Sequence, residues 1–362
     1  MGQAAAARIR QNLTILPNSF VPNMKGTPVT IKDIAKALNI SVSTVSRALR
    51  NMPEIHPNTR KAVMKLAETL DYQPNQLAKN LARSATKTIG VIVPNLSYYF
   101  FSAALSSIED EALQAGYSVL VCQSNELHSR EMINIQNLLR GQVEGLLISL
   151  ARDTDDCAHI ERLLQKNIPL VLFDRHVNHL DAAKVIVDNH AAAFKATEHL
   201  IEQQCRRIGF LAGPPNLLIS SQRLAGYLAA LEKHGLASGP EMVFHCDYTP
   251  ENAVAQVLAM TRQQPDGILT VSDRVAFPAI NALKKAGFRI PDDLAVVSFN
   301  NEPNCEFLTP SLSSIEQPIE QMGRESVRLL RQQMETEGEL LPKTTRVFDT
   351  RLIVRESSLR NN

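Results

Sequence analysis

The chain has 362 residues, more than an average domain holds, with 44% apolar and 21% charged side chains and a formal net charge of +1. No run approaches the ~20 consecutive apolar residues of a membrane span, the first twenty residues lack the apolar block of a secretory signal, and the five cysteines lie far apart without a CxxC pair. A membrane protein, a disulfide scaffold, a zinc cluster and a long coiled coil are thereby excluded, and a cytoplasmic protein of two or three units is expected.

The near-neutral total hides an asymmetry. Residues 27–87 carry ten lysines and arginines against Asp33, Glu54, Glu68 and Asp71, a net +6, whereas the 275 residues from 88 onward carry a net −8. A small basic head on an acidic body is the charge pattern of a polyanion-binding module joined to something else.

Residues 1–27 show no sustained periodicity and read as a disordered extension; Met24, just ahead of the first organised segment, is a second candidate start. Thr30 is placed to cap a helix with Asp33 at the capping-box position, and Ile31, Ile34, Ala35 and Leu38 form one apolar stripe. After a short turn at Asn39-Ile40, Ser41 caps a second helix with Val45, Ala48 and Leu49 inward and Ser43, Ser46, Arg47 and Arg50 outward. Pro57 suits the first position of a third helix that buries Val63, Leu66, Ala67 and Leu70. Two short helices with a tight turn and a third across them make a helix-turn-helix unit. Asn75 then caps about two helical turns ending near Arg83, too short to be stable alone.

From Ile89 the pattern changes to apolar runs (IGVIV, YSVLVC, VEGLLIS, IPLVLF, VIV, RIGFLAG, MVFHC, DGILTVS and LAVVSF) alternating with amphipathic stretches. Runs buried on both faces with helices between them predict parallel sheets, and a restart near residue 190 predicts two similar doubly wound subdomains. The segment after Ser314, a helix from about Pro318 followed by VFDTRLIVRE, would cross back to complete both. No phosphate loop of GxGxxG or GxxxxGK[ST] type follows any run, so nucleotide chemistry has no support.

The second helix carries the strongest functional signal. A helix that enters the major groove needs small or polar residues at its N-terminal outward face and a long donor one turn on. Val42 and Ser43 meet the first need and Arg47 the second. The competing reading is a plain surface helix with one arginine.

The run TIKDIAKALNISVSTVSRALRN, continuing through TRKAVMKLAETLDYQPNQLAKNLARSATKTIGVIVP, resembles the head and hinge of the lactose/galactose/purine repressor family (LacI/GalR type). The resemblance continues over residues 28–356 through FLAGPP, RLAGY, DGILTVSD, IPDDLAVVSFN and LTPSLSSIEQP. It implies a helix-turn-helix head at 28–74 and a hinge helix and linker at 75–88. Behind them it implies a sensor of periplasmic-binding-protein type, with one lobe from 89–188 plus 316–343 and the other from 189–315 plus 344–356.

By position, the resemblance puts Val42, Ser43 and Arg47 at base-reading places and Thr30, Ser41, Thr44, Ser46 and Asn51 at phosphate-holding places. His56 departs from the usual Ser at the third helix's cap, which puts its phosphate contact in doubt. Leu81, with Ala82 and Arg83 beside it, matches the leucine that wedges into the minor groove; an exposed apolar side chain on a marginal helix suits that role, and a hinge–hinge contact is the alternative.

For the sensor cleft the resemblance nominates Phe100, Phe101, Asp174, Arg223, Tyr248, Ser272, Asp273 and Asn300. An arginine among aromatics suits a polar, ring-shaped effector, a sugar or sugar-like metabolite. Phe100 is equally read as packing, Asp273 as a helix cap and Asp174 as a partner of Arg175. Asn300 stands where many relatives have Asp, so the family's ligands are not carried over.

The resulting expectation is a regulator without a cofactor, a homodimer that reads a pseudo-palindromic operator in double-stranded DNA under control of a small-molecule effector. No heptad segment follows Glu356, which favours a dimer over a tetramer. The rivals are a solute-binding receptor, which has no use for the basic head, and an α/β enzyme, for which the scattered histidines give neither metal spacing nor a nucleophile elbow.

Overall fold

A computed structural model describes residues 29–72, 86–237, 239–336 and 343–360. It divides into two units that meet at Thr86–Lys87.

In the first unit, α1 (Ile31–Leu38), α2 (Val42–Leu49) and α3 (Pro57–Thr69) enclose a small core of Ile34, Ala35, Ala37, Val45, Ala48, Val63, Leu66 and Ala67. Leu38 and Leu70, expected fully inside, are half-buried at its margin, and Ala37 takes a core place instead. Asp33 accepts hydrogen bonds from both the backbone N–H (2.8 Å) and the hydroxyl (2.7 Å) of Thr30, which fixes the start of α1. Asn39 ends that helix in the left-handed region (φ 52°), a conformation asparagine tolerates better than most residues, and turns the chain into α2. Ser41 caps α2 by accepting from the Thr44 N–H at 3.1 Å. The cap of α3 is the His56 ring, whose Nδ1 accepts from the Asn58 N–H at 3.3 Å. Arg60 donates Nη2 to the carbonyls of Met52 (2.6 Å) and Ile55 (3.3 Å), so one of the ten basic residues is committed to holding the α2–α3 connection.

The second unit holds two six-stranded sheets. The first comprises β1 (Thr88–Val93), β2 (Ser118–Gln123), β3 (Gly145–Ile148), β4 (Leu170–Phe173), β5 (Ala183–Val187) and β11 (Thr345–Phe348), all parallel, in the order β11-β5-β4-β3-β1-β2. The second comprises β6 (Ile208–Ala212), β7 (Val243–His245), β8 (Gly267–Thr270), β9 (Ala295–Phe299), β10 (Ser313–Glu316) and β12 (Arg351–Ile353), in the order β12-β10-β9-β8-β6-β7, with only β12 antiparallel.

Helices α4 (Tyr99–Gln114), α5 (His128–Arg140), α6 (Ala158–Gln165) and α11 (Ile319–Glu335) cover the first sheet; α7 (Asn189–Glu202), α8 (Leu218–Lys233), α9 (Pro250–Met260) and α10 (Asp273–Lys285) cover the second. The architecture is thus a small all-α head and two doubly wound parallel-sheet lobes. Close packing fixes α11 on the first lobe: a Cβ at Gly145 would meet Leu330 at 2.8 Å, and one at Gly323 would meet the Ala104 carbonyl at 2.8 Å.

All nine apolar runs form strands, with departures in burial at three: β5 alternates, Ile186 being half-buried between Val185 and Val187, and two others are more exposed. YSVLVC was read as buried on both faces, yet β2 is an edge strand whose Leu120 and Val121 are exposed. MVFHC likewise becomes an edge strand, β7, at one side of the second sheet and at best half-buried.

The lobe assignment of 344–356 also needs correction. Thr345–Phe348 pairs with β5 in the first sheet, and only Arg351–Ile353 joins the second. The chain crosses between lobes at Asp349–Thr350 because the two short strands belong to different sheets. The second lobe then runs past Glu356, where Ser357 exchanges hydrogen bonds with the Val296 backbone (2.8 and 2.7 Å) and Ser358 meets His199 Nε2 at 2.8 Å.

Candidate functional site

On α2 the nominated side chains point outward. Ser41, Val42, Ser43 and Arg47 are exposed, and Val42, at 41% exposure, is an apolar residue left in solvent at the first helical position. Ser41 Oγ also shares hydrogen bonds with Ser43 Oγ (2.7 Å) and Thr44 Oγ1 (2.8 Å), so three hydroxyls cluster at the helix start. The first turn holds no acidic residue, leaving the positive end of the helix dipole uncompensated. Among the described residues neither Arg47 nor Arg50 has an ion-pair or hydrogen-bond partner for its side chain. Thr30, Asn51 and His56 are exposed and Thr44 and Ser46 half-buried. Leu81, Ala82 and Arg83 lie outside the described residues.

The second candidate is the cleft between the lobes, at the carboxyl ends of both sheets, where open α/β folds bind ligands. It brings together Phe100, Phe101 and Asp174 from the first lobe with Arg223, Tyr248, Ser272 and Asn300 from the second. Phe100 and Phe101 meet edge to face (5.3 Å, 87°) and do both jobs considered for Phe100, since they belong to the first lobe's core and line the cleft.

Asp174, in the left-handed region (φ 57°), takes no hydrogen bond to its carboxylate from a described residue. Burial pushes its pKa up to about 6, against the pull of Arg175 and Arg223. Asp174 and Arg175 interact through their charges only; the hydrogen-bonded partner of Arg175 is Glu126, held in bidentate fashion (2.6 and 3.0 Å). Burial disfavours the Arg175 charge, and the Glu126 carboxylate outweighs it.

Arg223 is almost completely buried. Its Nε donates to Asn189 Oδ1 at 2.9 Å, its Nη1 donates to the Val271 carbonyl at 2.6 Å, and its guanidinium lies 4.2 Å from the Phe299 ring centroid. Burial lowers its pKa. Ser272 Oγ is buried with no hydrogen-bond partner among the described residues, a hydroxyl on the cleft wall.

Asp273 does not join this group. It is fully buried in the second lobe, where its carboxylate accepts from the Glu302 N–H (2.8 Å) and the Ser314 hydroxyl (2.7 Å) and so pins the β9 loop to β10. Nor does it cap the next helix, the alternative considered for it: Ser272 holds the N-cap position of α10, and the Asp273 carboxylate turns to Glu302 and Ser314 instead.

Sequence reasoning missed several cleft residues. Tyr98, Arg175, Ile219, Arg274, Glu302 and Gln317 also line it. Arg274 stacks 4.1 Å from the Tyr98 ring centroid, a cation–π contact that joins the lobes. Gln317 donates Nε2 to Asn300 Oδ1 at 2.8 Å; its signal was its place in the motif LTPSLSSIEQP, just before the helix that crosses back. At the lip, Arg152 Nη1 donates to the Asp247 carbonyl (2.6 Å) and Asn216 Nδ2 to the Arg152 carbonyl (2.7 Å). The space enclosed is about 60 Å³, far below the ~300 Å³ of a small-molecule pocket, so a ligand of sugar size requires the lobes to part.

Comparison with known proteins decides between the rival readings. Residues 30–75 match the family model "Bacterial regulatory proteins, lacI family", and 197–358 match "Periplasmic binding protein-like domain". The chain is 34% identical over 336 residues to the transcriptional repressor CytR of Escherichia coli (strain K12), covering 92% of this chain and 97% of the relative.

The chain belongs to the lacI family of bacterial regulatory proteins.

It is similar, again at 34% identity, to the ribose operon repressor of Halalkalibacterium halodurans, over 91% of this chain and 97% of that one. The lac repressor dimer bound to operator and the anti-inducer ONPF superimposes with a TM-score of 0.83 at 25% identity, over 92% of this chain and 100% of that one. This lacI-family chain is a DNA-binding transcriptional regulator and not an enzyme.

Proposed function

We propose that the protein is a cytoplasmic homodimer that represses transcription by seating two heads on a pseudo-palindromic operator, and that a small polar metabolite in the cleft controls it. The observation that carries this reading is α2: a capped helix with no carboxylate in its first turn, small residues at its start and Arg47, one turn on, without a partner among the described residues. In this reading Val42, Ser43 and Arg47 contact bases, while Thr30, Ser41, Thr44, Ser46, Asn51 and His56 hold phosphates. Leu81 wedges a central base step with Ala82 and Arg83 beside it. A dimer is supported by exposed Leu113, Leu120 and Val121 on α4 and the open β2 edge, since an unpaired edge with apolar residues favours a covering partner.

In the cleft, Arg223, Asn300 and Gln317 offer polar edges, Ser272 a free hydroxyl and the aromatics stacking faces, a set suited to a sugar or sugar-like ring. Asp174 would accept from ligand hydroxyls. Ligand binding shifts the lobe arrangement and with it the spacing of the two heads.

The experiment is selection of genomic fragments by the full-length protein followed by footprinting. Protection of two inversely related half-sites about one helical turn apart is expected. A single unrepeated site, or a monomer in sedimentation at micromolar concentration, would contradict the dimer.

A further inference from the structure

The chain passes between the lobes at Asp188–Asn189, Gln317–Pro318 and Asp349–Thr350. The first two crossings are each tied by a side-chain amide to a residue of the cleft. Asn189, 3% exposed, opens α7 and accepts from Arg223 Nε at 2.9 Å; its own Nδ2 lies 3.4 Å from the carbonyl of Val187, the last residue of β5 in the first lobe. Gln317, at the second crossing, donates Nε2 to Asn300 Oδ1 (2.8 Å). The third crossing is held by Lys195 Nζ on the Thr350 carbonyl (3.3 Å), an exposed contact with no cleft residue in it.

Arg223 is anchored within the second lobe by the Val271 carbonyl and the Phe299 ring. Its Nε edge alone reaches the crossing. A ligand acceptor that draws the guanidinium into the cleft turns the Nε–H out of line with Asn189, the one donor of this arginine that the crossing holds. Asn189 does not line the cleft, so it senses the ligand only through Arg223.

We propose that Asn189 is a positioning residue that converts the state of Arg223 into the angle between the lobes. This deepens the reading of the cleft as the effector site and rests on it. While Arg223 faces only protein, the Asn189 bond holds the β5–α7 crossing in the arrangement seen here. When the guanidinium turns toward a ligand, the amide is released, and the first crossing can rotate because the amide's other contacts, to the Val187 carbonyl (3.4 Å) and to Gln222 Oε1 (3.5 Å), are long and weak. A ligand acts through this route because it interacts differently with the two arrangements of Arg223.

The test measures lobe geometry directly, with no effector or duplex. Spin labels are placed at Glu161→Cys on α6 and Glu251→Cys on α9, both exposed and in different lobes, in a Cys122→Ser background that removes the one partly accessible native thiol. Labelled full-length protein is diluted with unlabelled protein so that the distance read lies within one chain.

Asn189→Ala is expected to move the interlobe distance distribution off its wild-type maximum, while Asn189→Asp, which keeps an acceptor for Arg223, returns it. Arg223→Ala, which also loses the Val271 and Phe299 contacts, should move it at least as far as Asn189→Ala does, and adding Asn189→Ala to it should move it no further, because the bond between the two is already broken. Cooperative thermal unfolding of each variant checks folding, and Asn189→Ser replaces the alanine variant if that one does not fold. A lowered melting midpoint with an unmoved distance distribution would make Asn189 merely structural and overturn the proposal, as would additive shifts in the double variant. Failure of the regulator reading would be seen elsewhere, as wild-type protein that binds no duplex.

Discussion

Helix α2 and the interlobe cleft both present arginines, and they do so in opposite ways. Arg47 stands exposed without a described partner, whereas Arg175 and Arg223 are buried and already bonded to Glu126, Asn189 and the Val271 carbonyl. The first surface is ready for a polyanion and needs no rearrangement within the helix to meet one. The second is a set of charges stabilised by protein groups, and a ligand must exchange with those groups. A surface that binds and a cleft that switches differ in this respect: the switch requires alternatives of similar energy.

The sharpest way to break the comparison is to remove a cleft partner. Glu126→Ala leaves Arg175 buried without its hydrogen-bonded counter-charge, with only the charge of Asp174 nearby, and also frees the Arg152 N–H that Glu126 accepts at 2.9 Å. A loss of about 3–5 kcal/mol in unfolding free energy is expected from urea titration. A loss within experimental error would mean the cleft charges are no more committed than Arg47.

Asp174→Asn tests the cleft from the other side. Its pKa is raised to about 6 in the folded protein, so between about pH 4 and 6 the folded state holds more protons than the unfolded chain, and stability falls as pH rises through that window. The cost of the buried carboxylate is therefore full above pH 6 and relieved below pH 4. The asparagine variant should be more stable than wild type at pH 7.5, by up to about 3 kcal/mol, with the gain shrinking toward pH 4. An equal difference at both pH values would contradict the assigned shift.

On α2, Arg47→Ala should weaken specific operator binding by about 1–3 kcal/mol and relax the preference at one base pair per half-site. Its effect on unfolding should stay within about 0.5 kcal/mol, as for an exposed residue without partners. Equal losses on specific and random duplex would reduce Arg47 to a phosphate contact. The smallest effect is expected from Ser41→Ala, which removes the cap of α2 and lowers stability by about 1 kcal/mol in thermal unfolding.

The same contrast explains what could be read from the sequence. The head was legible because its caps and apolar stripe lie within a few residues of one another, as Thr30 with Asp33 and Ser41 with Thr44. Strands such as β1 and β8 were legible because they are apolar and fully enclosed. Strand β10 was not, because Ser313 and Ser314 look like loop residues; they are buried only because Ser357, Ser358 and Asp273, 41–45 residues away, satisfy them. The split of VFDTRLIV between two sheets is likewise a matter of which edge each strand reaches, which no local pattern encodes. In the cleft, Arg223 could be nominated from its motif, yet its tie to Asn189 spans 34 residues and that of Arg175 to Glu126 spans 49. Asp273 misled for the same reason, since its partners come from β10 and the loop after β9.

The most direct test of the account is a salt titration of full-length wild-type protein and Arg47→Ala on the genomic fragment each retains best and on random duplex. Wild type should bind its fragment far more tightly than random duplex, with log affinity falling linearly and steeply with log salt; the variant should lose most of that preference and keep a steep slope. Wild-type protein that retains no fragment above random duplex, even in dilute buffer, would contradict it.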